Sequence, residues 1–396
     1  MGMMVVDYRK NQTPRGTRDY LPQEAQARRW LEGRLLSLLA SWGYREIITP
    51  TYEFHAALAV PQDEALEEQM IKFFDGEGHL LALRPDMTTP MARVVATRLR
   101  GREPLRLAYN AQVFRYGGTQ RGRQREFGQI GAELIGSQGP DADGEIAALA
   151  YFTLQEAGLA GIRLDLGHVE YFHGLMEETD LTKDLQRQIR GALLQRNYVE
   201  LRSLVDPLPI HPRLREHLLM LPRLRGGSKF LQGVETFANP RCRRAVEELE
   251  EIYAILVDYG IEGGVAVDLG LVKDLDYYTG MVLEAYTEDV GAALCTGGRY
   301  DELIGRFGYR TCATGFALGT DRLLSVLEHQ GRLPQGGEEP ITITYGPKER
   351  PTALEVAQIL RRRGHSVVVE RGEGPALAVD GVPVEGREGA LALFDV

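Results

Sequence analysis

The chain has 396 residues, enough for two or three domains, with 43% hydrophobic and 26% charged residues, the mix of an ordinary globular protein. A net charge of −10 argues against a large nucleic-acid footprint, and three scattered cysteines, Cys242, Cys295 and Cys312, argue against a disulfide framework or a zinc site. No apolar run reaches membrane-spanning length and the first residues are too short for a secretory core, so the cytoplasm is the expected compartment.

Residues 13–21 read as an extended, turn-rich lead-in, and Pro22 suits the first turn of a helix. Ala27, Leu31, Leu35, Leu38 and Trp42 then recur at helical spacing up to a stop at Gly43, and a strand follows over Tyr44–Pro50. Phe73–Phe74 and Leu80–Leu83 pair as a hairpin across Asp75–Gly78. Leu83–Pro90 leads into a helix over Met91–Leu99, with Asp86 and Thr88 well suited to capping it.

Two β-capable runs, Arg106–Tyr116 and Gln124–Gly136, flank a basic, glycine-rich turn. Alternation in the second run sends Ile130, Ala132 and Leu134 towards a core. Gln129 and Glu133 point the other way, beside Gly131, which suits a small polar ligand lying on the sheet. Arg115, at the end of the first run, is placed to bind a carboxylate or phosphate bidentately. An ordinary solvated hairpin would carry the same pattern.

A helix over Ala142–Leu159 leads to a strand at Ile162–Leu166. From Asp180 to about Leu256 the chain is Leu-rich, charged and broken by Pro207, Pro209, Pro212 and Pro222, and it reads as a helical insertion over about 180–260. Arg241 and Arg243–Arg244 read as a solvated helix face. Val265, Val267 and Leu269 alternate along a strand that enters a polar, aromatic turn, and a second strand covers Met281–Tyr286. Gly297–Leu303 reads as a glycine turn into a helix, and Gly315–Leu318 as a strand before a helix from about Thr320 to Gln330. Residues 331–340 have linker composition. The tail, 341–396, reads as a small α/β domain: strand Ile341–Tyr345, helix Pro351–Arg362, strand Ser366–Glu370, and short strands near Ala376–Val379 and Leu391–Phe394. Arg361–Arg363 ends its helix with favourable charge.

Phe114-Arg115-Tyr116, the loop, and Arg125-Glu126-Phe127-Gly128-Gln129 with Gly131-Ala132-Glu133-Leu134-Ile135-Gly136 resemble motif 2 of the class II aminoacyl-tRNA synthetases in its histidyl form. The helix and strand ending at Pro50 resemble motif 1, which implies a homodimer through Ala27–Pro50. Thr314–Leu324 resembles motif 3 and places Arg322 where these enzymes set an arginine against ATP. The fold implied is α+β: an antiparallel sheet flanked by helices over residues 1–330, with the small α/β domain after it. A histidine pocket is implied at Asp86, Thr88, Arg115, Gln129, Glu133, Tyr277, Tyr278 and Tyr300, with no cofactor and no metal.

The departures point away from catalysis. Histidyl synthetases have Leu-Val-Arg-Gly-Leu-Asp-Tyr-Tyr where this chain has Leu271-Val272-Lys273-Asp274-Leu275-Asp276-Tyr277-Tyr278. Lys273 thus holds the catalytic arginine position, and Asp274 is placed to tie it up. Asp86-Met87 replaces Glu-Gly, Gly117-Gly118 opens the motif 2 loop, Gly128 stands where a His is usual, and the tail fits only one helix. Histidyl-synthetase-like chains of this kind serve as regulatory subunits of ATP phosphoribosyltransferase. That implies a non-catalytic role beside a short-form catalytic subunit, with L-histidine as ligand and a homodimer inside a hetero-oligomer. An active histidyl-tRNA synthetase is the alternative. An unrelated interaction protein reusing the fold fits less well with the retained Gln129, Glu133 and tyrosines.

Overall fold

The first long helix, Pro22–Ser41, begins on a proline and stops where Gly43 takes φ +84°. In the computed structural model, which describes residues 8–59, 64–116, 124–233, 239–273, 277–288, 290–334, 339–373 and 376–394, its inward face carries Arg28, Leu31, Glu32, Leu35 and Leu39. The expected stripe ran through Leu38 and Trp42, which are only half-buried. A charged pair lies inside the face instead, held by the Arg28 Nε bond to Glu32 Oε1 at 2.8 Å.

The strands of the first compact unit, Met1–Leu333, are β1 (Arg45–Glu46), β2 (Tyr52–Phe54), β3 (Lys72–Phe74), β4 (Leu80–Leu83), β5 (Leu105–Phe114), β6 (Glu126–Ile135), β7 (Ile162–His168), β8 (Arg225–Gly226), β9 (Val265–Asp268), β10 (Met281–Thr287), β11 (Val290–Arg299) and β12 (Ala313–Gly319). Nine form one sheet in the order β1-β5-β6-β12-β11-β10-β7-β9-β8, while β2-β4-β3 form a small second sheet. The large sheet is antiparallel except for the pairs β1·β5 and β7·β9. The strand expected over Tyr44–Pro50 shrinks to β1. Beyond it the Arg84 guanidinium takes the carbonyls of Thr49 at 2.8 Å and Pro50 at 3.1 Å, so those groups are not available to a ladder.

Each face of the sheet carries its own core. Ile130, Ala132 and Leu134 of β6 join Leu31, Leu35 and Leu39, the helix Gly139–Glu156 and Phe316. Ile135 joins Met87, Met91, Tyr109, Tyr277 and Tyr300 on the opposite side. That division is the period-two alternation of β6 realised. The helix expected over Met91–Leu99 starts earlier, at Thr88, and its last five residues, Val95–Leu99, form a π-helical turn.

The segment expected as an insertion is helical, with helices Lys183–Leu194, Tyr198–Val205, Pro212–Met220, Ser228–Gly233 and Pro240–Asp258, two of them opening on prolines. It does not stand apart. Leu193, Leu201, Leu218, Leu249 and Ile252 belong to the same hydrophobic cluster as the sheet, and β8 adds an edge strand. Arg241 is not on a solvated face: it donates to Glu170 and to Glu177 and so ties its helix to the helix Val169–Glu177. Gly297 and Gly298 lie within β11, not in a turn, and only a 3-10 turn, Ile304–Phe307, follows. Among the described residues no helix is long and apolar enough to cross a membrane.

The second unit, Pro334–Val396, has the strands β13 (Ile341–Tyr345), β14 (Val367–Arg371), β15 (Leu377–Val379) and β16 (Val382–Val384) in the order β14-β13-β15-β16. Among its described residues are two helices where one was expected: Arg350–Arg362 and Gly386–Ala392. The strand expected at Leu391–Phe394 falls on the end of the second helix, where Ala390 and Leu391 are buried in the unit's own core. The extra strand comes from Asp380–Gly381, both at positive φ (48° and 80°), which closes the two-residue hairpin β15–β16.

Candidate functional site: a tyrosine-walled carboxylate on the sheet

Cross-strand register builds the site. Glu133 on β6 stands opposite Gly315 on β12, which pairs with Gly298 on β11, which pairs with Val282 on β10. Two residues along, Tyr109, Gly131, Ala317, Thr296, Glu284 and Asp165 form a parallel row on the same face. The glycines leave the floor empty so that larger groups can lie over it. A Cβ at Gly315 would sit 1.7 Å from Glu133 Oε2, and one at Gly298 would sit 2.9 Å from the Tyr278 ring. A Cβ at Gly131 would meet the Tyr109 hydroxyl at 2.3 Å.

Glu133 is fully buried, and its partners are hydroxyls. Tyr300 donates to Oε2 at 2.5 Å, while Thr88 at 3.2 Å and Tyr109 at 3.4 Å donate to Oε1. Burial pushes the Glu133 carboxyl up to about 8 against the pull of these hydroxyls, and the charge of Asp86 adds to the rise. Burial also holds the hydroxyls of Tyr109, Tyr277 and Tyr300 well above their ordinary range, so they remain donors. Tyr277 packs 4.7 Å from Tyr278 and 5.9 Å from Tyr300, centroid to centroid, and the three rings make a wall.

The Asp86–Thr88 turn approaches from above. Asp86, buried, accepts the Thr89 N–H at 3.0 Å, which is the capping use its residue type suggested. Gln129 accepts the Met87 N–H at 3.0 Å and fixes the turn over the sheet. Arg115 is tied to the same turn through Nε to the Pro85 carbonyl at 2.6 Å, with its guanidinium 6.0 Å from the Phe127 ring. All eight expected pocket residues therefore meet through Glu133, the rings or the Asp86 turn, Gln129 and Arg115 by way of the turn and not Glu133. Tyr109 was not expected. Its signal was present as Gly131, since a glycine inside a strand marks the close approach of something large.

Lys273 is buried, and its Nζ donates to Glu284 Oε1 at 2.7 Å. Burial lowers its pKa, and the Glu284 charge opposes the fall. It lines a small recess beside Tyr278 with Val169, Phe172 and His173. Asp274, the partner expected for it, lies with Asp276 outside the described residues, as do Gly117 and Gly118. The partner found is a strand residue eleven positions on, because β10 brings Glu284 back under the turn. Arg322 is exposed and donates to the Ala293 carbonyl of β11.

The family model for histidyl-tRNA synthetase matches residues 16–323. The ATP phosphoribosyltransferase regulatory subunit of Desulforamulus reducens is 40% identical over 91% of this chain and 90% of its own length. That of Moorella thermoacetica is 41% identical, over 91% and 92%. This chain belongs to the histidyl-tRNA synthetase-like family of ATP phosphoribosyltransferase regulatory subunits. A solved family structure, an ATP phosphoribosyltransferase regulatory subunit/histidyl-tRNA synthetase from Bacillus halodurans, superposes with a TM-score of 0.83 at 34% identity and covers 94% of each chain. The expected class II, α+β fold is thereby met; the motif 2 strands on which the resemblance rested are β5 and β6, and the motif 3 strand is β12.

Proposed function

We propose that this chain is the non-catalytic regulatory subunit of an ATP phosphoribosyltransferase, working with a short-form catalytic subunit at the first step of histidine biosynthesis and its feedback regulation by histidine. The observation that carries the reading is Lys273, buried against Glu284 at 2.7 Å in the segment where histidyl synthetases carry their catalytic arginine. A guanidinium offers a planar fork that bridges a carboxylate and a phosphate, whereas an ammonium already paired with a carboxylate offers neither fork nor free charge. The names of the relatives support the same reading. The first test is histidine-dependent pyrophosphate–ATP exchange. None is expected, and Lys273→Arg should not restore it, because Glu284 would still hold the side chain and Asp86-Met87 also departs. Robust exchange by the pure protein would establish the alternative, an active synthetase, which the well-built Glu133 pocket favours. The second test is reconstitution with a short-form catalytic subunit, with activity expected to rise on mixing and to fall with histidine.

In the same reading, free L-histidine lies over the sheet. Glu133 takes the α-ammonium, and Asp86 and Thr88 close from the turn. Tyr277, Tyr278 and Tyr300 wall the imidazole, and Arg115 meets the carboxylate. The chain pairs with a second copy in this reading. The apolar face of the helix Pro22–Ser41 is spent inside the unit, so the pairing surface is the exposed group Ile48, Tyr52, Phe54, Phe73 and Phe74.

A further inference from the structure

Away from that group, a second set of large apolar side chains stands in solvent: Tyr198 at 53% exposure, Val199 at 82% and Met220 at 40%. They belong to the helices Tyr198–Val205 and Pro212–Met220, which already bury Leu201, Val205, Leu214 and Leu218 towards the core. The exposed residues are therefore not needed to seat the helices. Between them lies a groove of about 630 Å³ with an apolar floor. Contiguous apolar surface of this kind marks a place where something binds.

The rim gives the occupant its chemistry. Arg202, Arg215 and Arg223 line the groove against a single carboxylate, Glu216, on a chain whose net charge is −10. Arg215 donates from one terminal nitrogen to the Leu208 carbonyl at 2.6 Å, which holds its guanidinium at the rim. Beyond Pro222 and Arg223, which it shares, a second cleft carries Arg163 and Arg225 already paired with Glu288 and Asp165, so the uncompensated basic rim is that of the groove itself.

We propose that this groove is where the catalytic subunit docks, through an apolar segment flanked by carboxylates. The inference rests on the regulatory-subunit reading above and deepens it by naming the face. The apolar floor supplies the desolvated centre of the contact, and the arginine rim steers and registers the partner.

Two variants of the full chain test it: Val199→Glu, and Arg202→Glu with Arg223→Glu. Each is mixed with purified short-form catalytic subunit and followed by sedimentation velocity at low and high salt. Thermal melting and the mass of the isolated chain serve as fold controls, which exposed positions should leave unchanged. Val199→Glu is expected to weaken assembly by about 30-fold or more, as for a central interface residue. The double arginine variant is expected to weaken it at low salt and to abolish most of its salt dependence. Assembly of both variants at wild-type affinity would overturn the inference while leaving the regulatory reading intact. A wild-type chain that does not assemble with the catalytic subunit at all overturns the reading and the inference together.

Discussion

Glu133 is a carboxyl group held in its protonated form by its surroundings. Its pKa is raised from 4.5 to about 8 by burial, although three hydroxyls pull the other way. The folded chain therefore binds more protons than the unfolded chain between those values, and stability falls as pH rises from about 4.5 through about 8. Glu133→Gln keeps an acceptor oxygen and cannot ionise, so it should lose that component. Urea midpoints at pH 5.5 and pH 8.5 should diverge more for wild type than for the variant. An identical pH dependence in both proteins would remove the argument; Asp268, raised to about 6 by burial, contributes equally to each. The same residue carries the ligand prediction. An α-ammonium brought against Glu133 favours its ionised form and makes the two a buried charged pair; truncating one partner of such a pair costs about 2–5 kcal/mol, so Glu133→Ala should weaken L-histidine binding by roughly 30-fold or more. Calorimetry on the two proteins measures this, and equal affinities would send histidine to another site.

At the scale of elements, the site depends on small residues in strands that carry bulky ones elsewhere. Gly315→Ala would place a methyl group 1.7 Å from Glu133 Oε2 and 2.6 Å from the Ala132 carbonyl. One of those contacts is backbone, which does not swing away, so a loss of about 1–3 kcal/mol is expected, typical of overpacking. Chemical denaturation reads it directly, and a variant as stable as wild type would show that the strands yield more easily than their ladder suggests. The division of β6 into Ile130, Ala132 and Leu134 on one face and Gln129 and Glu133 on the other was legible in the sequence, because the strand period belongs to the backbone. The Asp380–Gly381 pair, a two-residue hairpin signal, was passed over in the reading of the tail, and with it the strand β16. The pairing of Lys273 with Glu284 was not legible. It depends on how the turn between β9 and β10 returns, and local spacing does not state that.

For the whole molecule, the exposed residues Ile48, at 85%, and Phe74, at 71%, carry the prediction of self-association. The isolated chain should sediment as a dimer at micromolar concentration, and Ile48→Asp with Phe74→Asp should sediment as a monomer with an unchanged melting profile of its own core. A wild-type monomer would contradict this. The sequence by itself determined the order of helices and strands through most of the chain, the family resemblance, and the set of residues that gathers around Glu133, since periodicity and motif order are local properties of the chain. Tertiary structure decided the rest. It turned the helix Pro22–Ser41 inward with a buried Arg28–Glu32 pair, merged the segment read as an insertion into the main core through Leu201, Leu218 and Leu249, brought Tyr109 over Gly131, and gave Lys273 its carboxylate. Each of those outcomes depends on which strands become neighbours and in what register, and cross-strand partners such as Glu284 and Thr296 meet only after the chain between them has closed.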